Sequence, residues 1–181
     1  MPQFRLETGR LLLRPPETGD VAAIVPLIGD FDVAKNLSRA PHPYPESAGY
    51  EFIERCAETR DAGTDFTYAI TRKSDDAFLG CCGVHLKDGN FEFGYWLGKP
   101  FWGYGYATES ARRLAAFAFD ELHAPNLVAG WFHDNPASGR VLEKLGCVPN
   151  GADQRDCVAR GHAVYCHNVK LDREGFERTA R

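Results

Sequence analysis

The sequence predicts an α/β fold: a mixed, largely antiparallel sheet of about seven strands, flanked by about four helices. Three observations predict it. Short runs rich in aromatic and β-branched residues follow one another across polar turns such as Lys73-Ser74-Asp75-Asp76 and Lys87-Asp88-Gly89-Asn90. Longer stretches between other runs repeat apolar residues at helical spacing. One strand, Phe91 to Leu97, passes through a glycine-bearing turn into a helix and then into another strand. The 181 residues suffice for one domain with a proper core, so 1–181 reads as a single domain.

Taken in order, Phe4 to Arg14 reads as the first strand, with Leu11, Leu12 and Leu13 as its apolar part. Asp20 stands where it can cap a short helix from Val21 to Ile28. Pro26 inside that helix predicts a kink or an early end. Gly29 to Pro45 reads as irregular, because Pro41-His42-Pro43-Tyr44-Pro45 suits neither a helix nor a central strand. Such a loop either shapes substrate entry or simply connects elements at the surface.

Glu46 or Ser47 begins a helix that runs to Ala62 and ends at Gly63. Its inward face is Gly49, Phe52, Ile53, Cys56 and Ala57. Strands follow at Phe66–Thr71, Ala77–Leu86 and Phe91–Leu97. A helix from about Gly105 to His123 carries the stripe Ala107, Ala111, Leu114, Ala115, Ala118, Phe119 and Leu122, and stops before Pro125. Leu127–Phe132 is a strand, and Asn135–Leu145 a short helix ending at Gly146. The last two strands, about Gly151–Val158 and Ala163–Leu171, join through Arg160-Gly161.

Composition narrows the function. A hydrophobic content of 44% and a charged content of 25% are those of an ordinary soluble domain. A net charge of −4 gives no sign of nucleic-acid or anionic-membrane binding. No apolar run reaches the length of a membrane span. The opening Met1-Pro2-Gln3-Phe4-Arg5 has no signal-peptide core, so a cytoplasmic location is expected, as monomer or homodimer. Among the six cysteines there is no C-x-x-C, and no Cys/His spacing suits zinc, so no metal is expected. All six are expected to be small buried or half-buried residues, with Cys157 and Cys166 reduced although they flank a hairpin.

The stretch most telling for function is Phe101-Trp102-Gly103-Tyr104-Gly105-Tyr106-Ala107-Thr108-Glu109, between strand and helix. Its glycines permit positive φ and a close ligand approach. The first helical amides lack carbonyl partners and form the positive end of the dipole, which makes an anion site. A P-loop would need Lys-Ser/Thr after Gly105, where Tyr106 and Ala107 stand. A dinucleotide fingerprint would need glycine at Thr108.

The longer run Glu92-Phe93-Gly94-Tyr95-Trp96-Leu97-Gly98 … Trp102-Gly103-Tyr104-Gly105-Tyr106-Ala107-Thr108-Glu109 resembles the acetyl-CoA site of the GNAT N-acetyltransferase superfamily. More narrowly, it resembles the branch of the ribosomal-protein N-terminal (alanine/serine) acetyltransferases. Arg10-Leu11-Leu12-Leu13-Arg14-Pro15 resembles the family's first strand. Asn135-Pro136-Ala137-Ser138 … Leu142-Glu143-Lys144-Leu145-Gly146 resembles its second cofactor segment. The likeness spans about residues 6 to 172. Pro100 departs from the Gln or Arg often found three residues before the first glycine, but backbone donors do not need that side chain.

The resemblance implies that the strands on either side of the motif helix are parallel and splay apart, with pantetheine in the gap like an added strand. It suggests a bulge near Gly94 as the cause. It implies phosphate binding by amides of Trp102, Gly103, Tyr104, Gly105, Tyr106, Ala107 and Thr108. It places the thioester carbonyl against the Tyr95, Trp96 and Leu97 strand, and Asn135 and Ser138 beside the pantetheine arm. Asn135 serves equally as a helix cap.

Glu92 is the first candidate for the base, on a strand of aromatics and facing opposite to Phe91 and Phe93. It is otherwise an exposed strand glutamate, and His133, His85 or a water chain are the alternatives. For the acid, the superfamily's tyrosine position is here Leu142, which has no proton to give. The resemblance carries the role to Ser138, which otherwise caps the helix or hydrogen-bonds pantetheine. Tyr104, Tyr106 or solvent stand behind it. The expected function is acetyl transfer from acetyl-CoA to a primary amine, a protein N-terminal α-amine or a small molecule, by direct attack in a ternary complex. A non-catalytic acyl-CoA-binding module and an unrelated nucleotide-binding protein are the competing readings.

Overall fold

The computed structural model describes residues 4–87 and 89–179. Eight strands form one sheet in the order β1-β2-β3-β4-β5-β6-β8-β7. They are β1 Leu6–Glu7, β2 Leu11–Arg14, β3 Asp65–Arg72, β4 Phe78–Lys87, β5 Asn90–Leu97, β6 Asn126–Phe132, β7 Val148–Cys157 and β8 His162–Asp172. β5 and β6 run parallel, and the other neighbouring pairs are antiparallel. This is the mixed sheet that the sequence predicts. Asp88 of the expected Lys87–Asn90 turn and Met1, Pro2 and Gln3 lie outside the described residues.

Helices cover both faces. α1 Val21–Ile28, α2 Phe31–Ala34 and α3 Glu46–Asp61 lie on one side. There Ile24, Ile28, Val33 and Ala34 pack with Ala69 and Cys81 of the sheet, and Phe52 and Ile53 of α3 join them. α4 Tyr106–Asp120, α5 Pro136–Leu145 and α6 Arg173–Thr179 lie on the other, over the larger core. In β5 the alternation is clean: Phe91, Phe93, Tyr95 and Leu97 join the α4 side, while Trp96 joins the α1 side.

Several local expectations change. Phe4–Arg14 is a tight hairpin rather than one strand, with Leu6 opposite Leu13. Thr8 closes it: its amide donates to the Leu11 carbonyl at 3.0 Å, and its hydroxyl accepts from the Leu11 amide at 2.9 Å. Asp20 precedes α1 but makes no side-chain cap bond, because both its oxygens bind Arg14, at 2.8 and 2.7 Å. α1 continues through Pro26 to Ile28. α2 lies inside the stretch expected to be irregular; a single turn is too short to show a period. Ala57 of α3 is exposed. α4 stops at Asp120, and Leu122 packs on the core from beyond its end. All six cysteines are free thiols, five buried and Cys147 half-buried.

The expected bulge at Gly94 is absent. The β4–β5 register runs unbroken from Lys87↔Asn90 to Gly80↔Leu97. The shift lies one strand over, between Ile70 and Thr71, where Leu79 of β4 falls out of pairing with β3. Next to it β4 and β5 touch closely: a Cβ on Gly80 would sit 2.0 Å from the Trp96 carbonyl oxygen. Backbone cannot yield there as a flexible side chain can. Gly80→Ala is therefore expected to lower the unfolding free energy by about 2–3 kcal/mol, read by urea denaturation.

Candidate active site

β5 and β6 pair at Phe91↔Leu127 and Glu92↔Val128 and then part. β6 stays with β8 as far as Phe132↔Cys166, and β5 stays with β4 as far as Leu97↔Gly80. From Phe93 onward, the β5 backbone groups that point away from β4 face a gap instead of a strand. The splay that the resemblance implies is present, with Glu92 at its apex.

At the open end of the gap the chain turns into α4. Gly103 and Gly105 take φ of +84° and +82°, and a Cβ on Gly103 would meet nothing within 4 Å. Glu109 is the first residue whose amide returns to the helix, to the Gly105 carbonyl at 3.0 Å. The amides of Gly103 to Thr108 find no acceptor among the described residues. Trp102 differs from expectation. Its amide donates to the Lys99 carbonyl at 3.2 Å and its indole to the Leu97 carbonyl at 2.8 Å, so it braces the loop and leaves the amide row to begin at Gly103.

The loop is tied to the β1–β2 hairpin. Arg10 donates from Nη1 to the Tyr104 carbonyl at 3.0 Å, and from Nε to Glu109 Oε2 at 2.7 Å. Its amide reaches Glu109 Oε1 at 3.0 Å, and the Thr8 hydroxyl donates to the same oxygen at 2.5 Å. The Arg10 guanidinium lies 4.5 Å from the centre of the Tyr106 ring, which stacks on Tyr104. Burial works to raise the Glu109 carboxyl, but the bonds from Thr8 and Arg10 outweigh it and hold the group below its usual range. Arg10, Arg72 and Lys73 also line a cavity of about 410 Å³ beside Tyr106. Each of these cations is paired, with Glu109, Asp75 and Glu7 respectively.

The two candidate catalytic residues fall on opposite faces of the sheet. Ser138, in the first turn of α5, lies on the α4 side. Its hydroxyl is 3.0 Å from the phenol oxygen of Tyr95, and that phenol also donates to the Ser138 carbonyl at 3.1 Å. Tyr95 thus reaches from one lip of the gap to the helix on the other. Burial pushes its phenol up, so it keeps its proton. Asn135 is the N-cap of α5, its side chain accepting from the Ser138 amide at 3.4 Å. Leu142 is buried in the core.

Glu92 faces α1–α3 and is not free. Arg155 of β7 donates from Nη1 to its Oε1 at 2.6 Å, and from Nη2 to Asn168 Oδ1 at 2.8 Å, with Asp153 at 3.3 Å. A small cavity of about 40 Å³ lies in front of Arg155, between Asn36 and Ser38 on one side and Gly130 and Phe132 on the other. Next to Glu92, a Cβ on Gly94 would meet nothing within 4 Å, which leaves room between Glu92 and Trp96. His85 lies directly across from Glu92 on β4, its ring nitrogen 3.5 Å from Asp65. His133 is exposed at the end of β6, edge-on to Tyr165. Neither histidine forms a hydrogen bond or ion pair with Ser138 or Glu92 among the described residues.

The segment Phe31–Ser38 straps this face. Asp32 binds Lys35 and Lys99, each at 2.6 Å, and those bonds lower its carboxyl to about 2. At the other end Arg160 binds the Lys35 carbonyl at 2.8 Å and both Asp134 oxygens, and the Val158 amide donates to Ser38. The strap therefore joins the start of the glycine loop to the tip of the β7–β8 hairpin.

A sheet parted over a helix start with unpaired amides defines a class: proteins that take a thread-like phosphorylated ligand between two strands. The chain belongs to the acetyltransferase (GNAT) domain family, whose sequence pattern matches residues 10–148. It is 28% identical over 169 residues to the uncharacterized N-acetyltransferase p20 of Bacillus licheniformis, covering 92% of this chain and 94% of that one. Its fold is similar to a GNAT-family acetyltransferase of Bacillus anthracis, with a TM-score of 0.82, 20% identity and coverage of 94% and 99%. It is also similar to RimL, a ribosomal α-N-protein acetyltransferase in complex with coenzyme A, with a TM-score of 0.80, 16% identity and coverage of 93% and 97%. No group of three or more His, Cys, Asp or Glu suited to a metal occurs among the described residues.

The Arg10–Glu109 clasp predicts a pH signature. A carboxylate held below its usual value adds stability above the unfolded-state value of 4.5 and loses it as pH falls through the folded value. Glu109→Gln should be less stable than wild type by about 1 kcal/mol near neutrality. That difference should close below pH 4.5, as followed by denaturation at a series of pH values.

Proposed function

We propose that this protein is an acetyl-CoA-dependent N-acetyltransferase that acts on a primary amine by direct attack in a ternary complex. One observation carries the reading: the gap between β5 and β6 opens beside a helix start whose amides are unpaired. The site fits the cofactor. Amides of Gly103, Tyr104, Gly105, Tyr106, Ala107 and Thr108 would hold its pyrophosphate, and backbone of Tyr95, Trp96 and Leu97 would meet the arm and the acyl carbonyl. Asn135 and Ser138 would flank the thioester end. Acetyl-CoA, when bound, supplies the activated acyl group.

The chain's own residues divide the remaining work. Glu92, at the apex, accepts the amine proton through Oε2 or a water, since Arg155 occupies Oε1. Ser138 offers its hydroxyl to the departing sulfur. The acceptor approaches from the α1–α3 face, past Gly94 and under the strap. Immediately around Arg155 the two carboxylates of Glu92 and Asp153 outnumber the one guanidinium, which favours a cationic amine at that point. The activity in the name of RimL supports a protein N-terminal α-amine as one such acceptor; a small-molecule amine fits the same face. A cytoplasmic location and a monomer or homodimer go with this reading.

The Glu92–Arg155 bond favours a second reading, a module of the same fold that binds acyl-CoA without turnover. Glu92→Gln separates the two in an amine screen. A general base predicts cofactor affinity kept and kcat/KM lowered roughly 10²–10⁴-fold. A wild type that consumes no acetyl-CoA with any amine supports the module.

Cofactor binding is tested first. Acetyl-CoA at about a hundred times Kd should raise Tm by about 5–10 °C, with NAD and ATP far less effective. Gly105→Val should remove most of that shift, because a β-branched residue resists positive φ. Equal shifts with all three ligands would rule out the cofactor assignment.

A further inference from the structure

Tyr95 reaches Ser138 twice, and the two contacts compete. The phenol has one hydrogen and two neighbours, the Ser138 carbonyl oxygen at 3.1 Å and the Ser138 hydroxyl oxygen at 3.0 Å. A carbonyl can only accept. When the phenol hydrogen goes to the carbonyl, the Ser138 hydrogen must point at the phenol oxygen and is used up. When the phenol hydrogen goes to the Ser138 hydroxyl oxygen, the serine hydrogen is released toward the gap. The pair therefore has two settings, one closed on itself and one that presents a donor.

We infer that Tyr95 is the positioning residue for Ser138: its phenol backs the serine oxygen and turns the serine hydrogen toward the sulfur that leaves. This rests on the function proposed above. The surroundings suit the task. Tyr95 stands past the point where β5 and β6 part, and its side chain reaches α5 over the α4 side of the sheet, beside the gap to be filled. The phenol keeps its proton through burial and is a donor at neutral pH. The Ser138 amide is already held by the Asn135 carbonyl at 3.1 Å, so the helix turn that carries the hydroxyl is fixed. Leu142 offers no hydrogen here. In the transfer the C–N bond forms, the C–S bond breaks with its electron pair going to sulfur, and the amine proton goes to the base. Two linked hydroxyls meet the new charge on sulfur, and neither need lose its proton for good.

The test reads the sulfur directly and needs no acceptor amine. Coenzyme A is bound to wild type, Tyr95→Phe, Ser138→Ala and the double variant, and the ultraviolet absorbance of its thiolate is followed with pH. Phe keeps the ring that packs, and CoA affinity is measured beside each titration. A donor aimed at sulfur lowers the pKa of the bound thiol. Each single variant should raise it by about one unit, and the double variant no further than either single, because the hydroxyls act as one. With an accepted amine, Tyr95→Phe should lower kcat by about tenfold with little change in acetyl-CoA affinity. A shift with Ser138→Ala and none with Tyr95→Phe overturns the coupling, as do additive shifts. A wild type that binds no CoA overturns this proposal together with the function beneath it.

Discussion

Between Phe93 and Leu97, β5 has a strand on one side only, and half of its backbone groups face a gap. Interior backbone of this kind normally finds a partner in the next strand. Here that demand is left for a ligand, and the surrounding structure supports the opening. β4 holds β5 from the paired side, close enough that position 80 admits no side chain. The Trp102 indole takes the Leu97 carbonyl where the strand ends. Arg10 and Glu109 fasten the glycine loop to the first hairpin, about a hundred residues away in sequence. Tyr95 spans from the strand to α5.

The alternation of β5 divides the chemistry. Tyr95 points to the α4–α5 side and Glu92 to the α1–α3 side, and three residues of strand separate them by about 10 Å. A reacting centre in the gap can be reached from both faces at once. Sulfur would leave toward the serine–tyrosine pair and the amine would arrive from the side of Glu92. The Phe31–Ser38 strap lies on the Glu92 side, which the proposed function gives to the amine, tied at one end to Lys99 and at the other to Arg160. Under the proposed function, acceptor choice and cofactor grip would come from different parts of the chain, joined through the strap.

Much of this was legible in the sequence. Alternating strands, the apolar stripe of α4 and the glycine turn at Gly103 and Gly105 are local signals, and each lies where its spacing places it. The splay came from resemblance alone, since no period marks a missing neighbour. What stayed hidden depends on partners far apart. The Arg155–Glu92 bond joins residues 63 positions apart. The Tyr95–Ser138 contact joins residues 43 apart, across two elements. The strand pattern makes the backbone of Tyr95 legible but not the reach of its phenol to Ser138. Arg10 and Glu109 are opposite charges in two separately recognisable motifs, a long-range pair that complementary charge could have suggested. The short helices α2 and α6 had too few turns to show a period, and Thr8 turned a strand into a hairpin through a side-chain bond that composition does not reveal.

The central claim is that the unpaired groups of β5 and of the α4 start receive the cofactor. Amide hydrogen exchange with and without coenzyme A tests it most directly. Binding should slow exchange in two separate segments, at the gap-facing amides between Phe93 and Leu97 and at Gly103 to Thr108, and leave the β7–β8 hairpin little changed. Protection confined to any other surface, with these two segments exchanging as fast as in the free protein, would contradict the account.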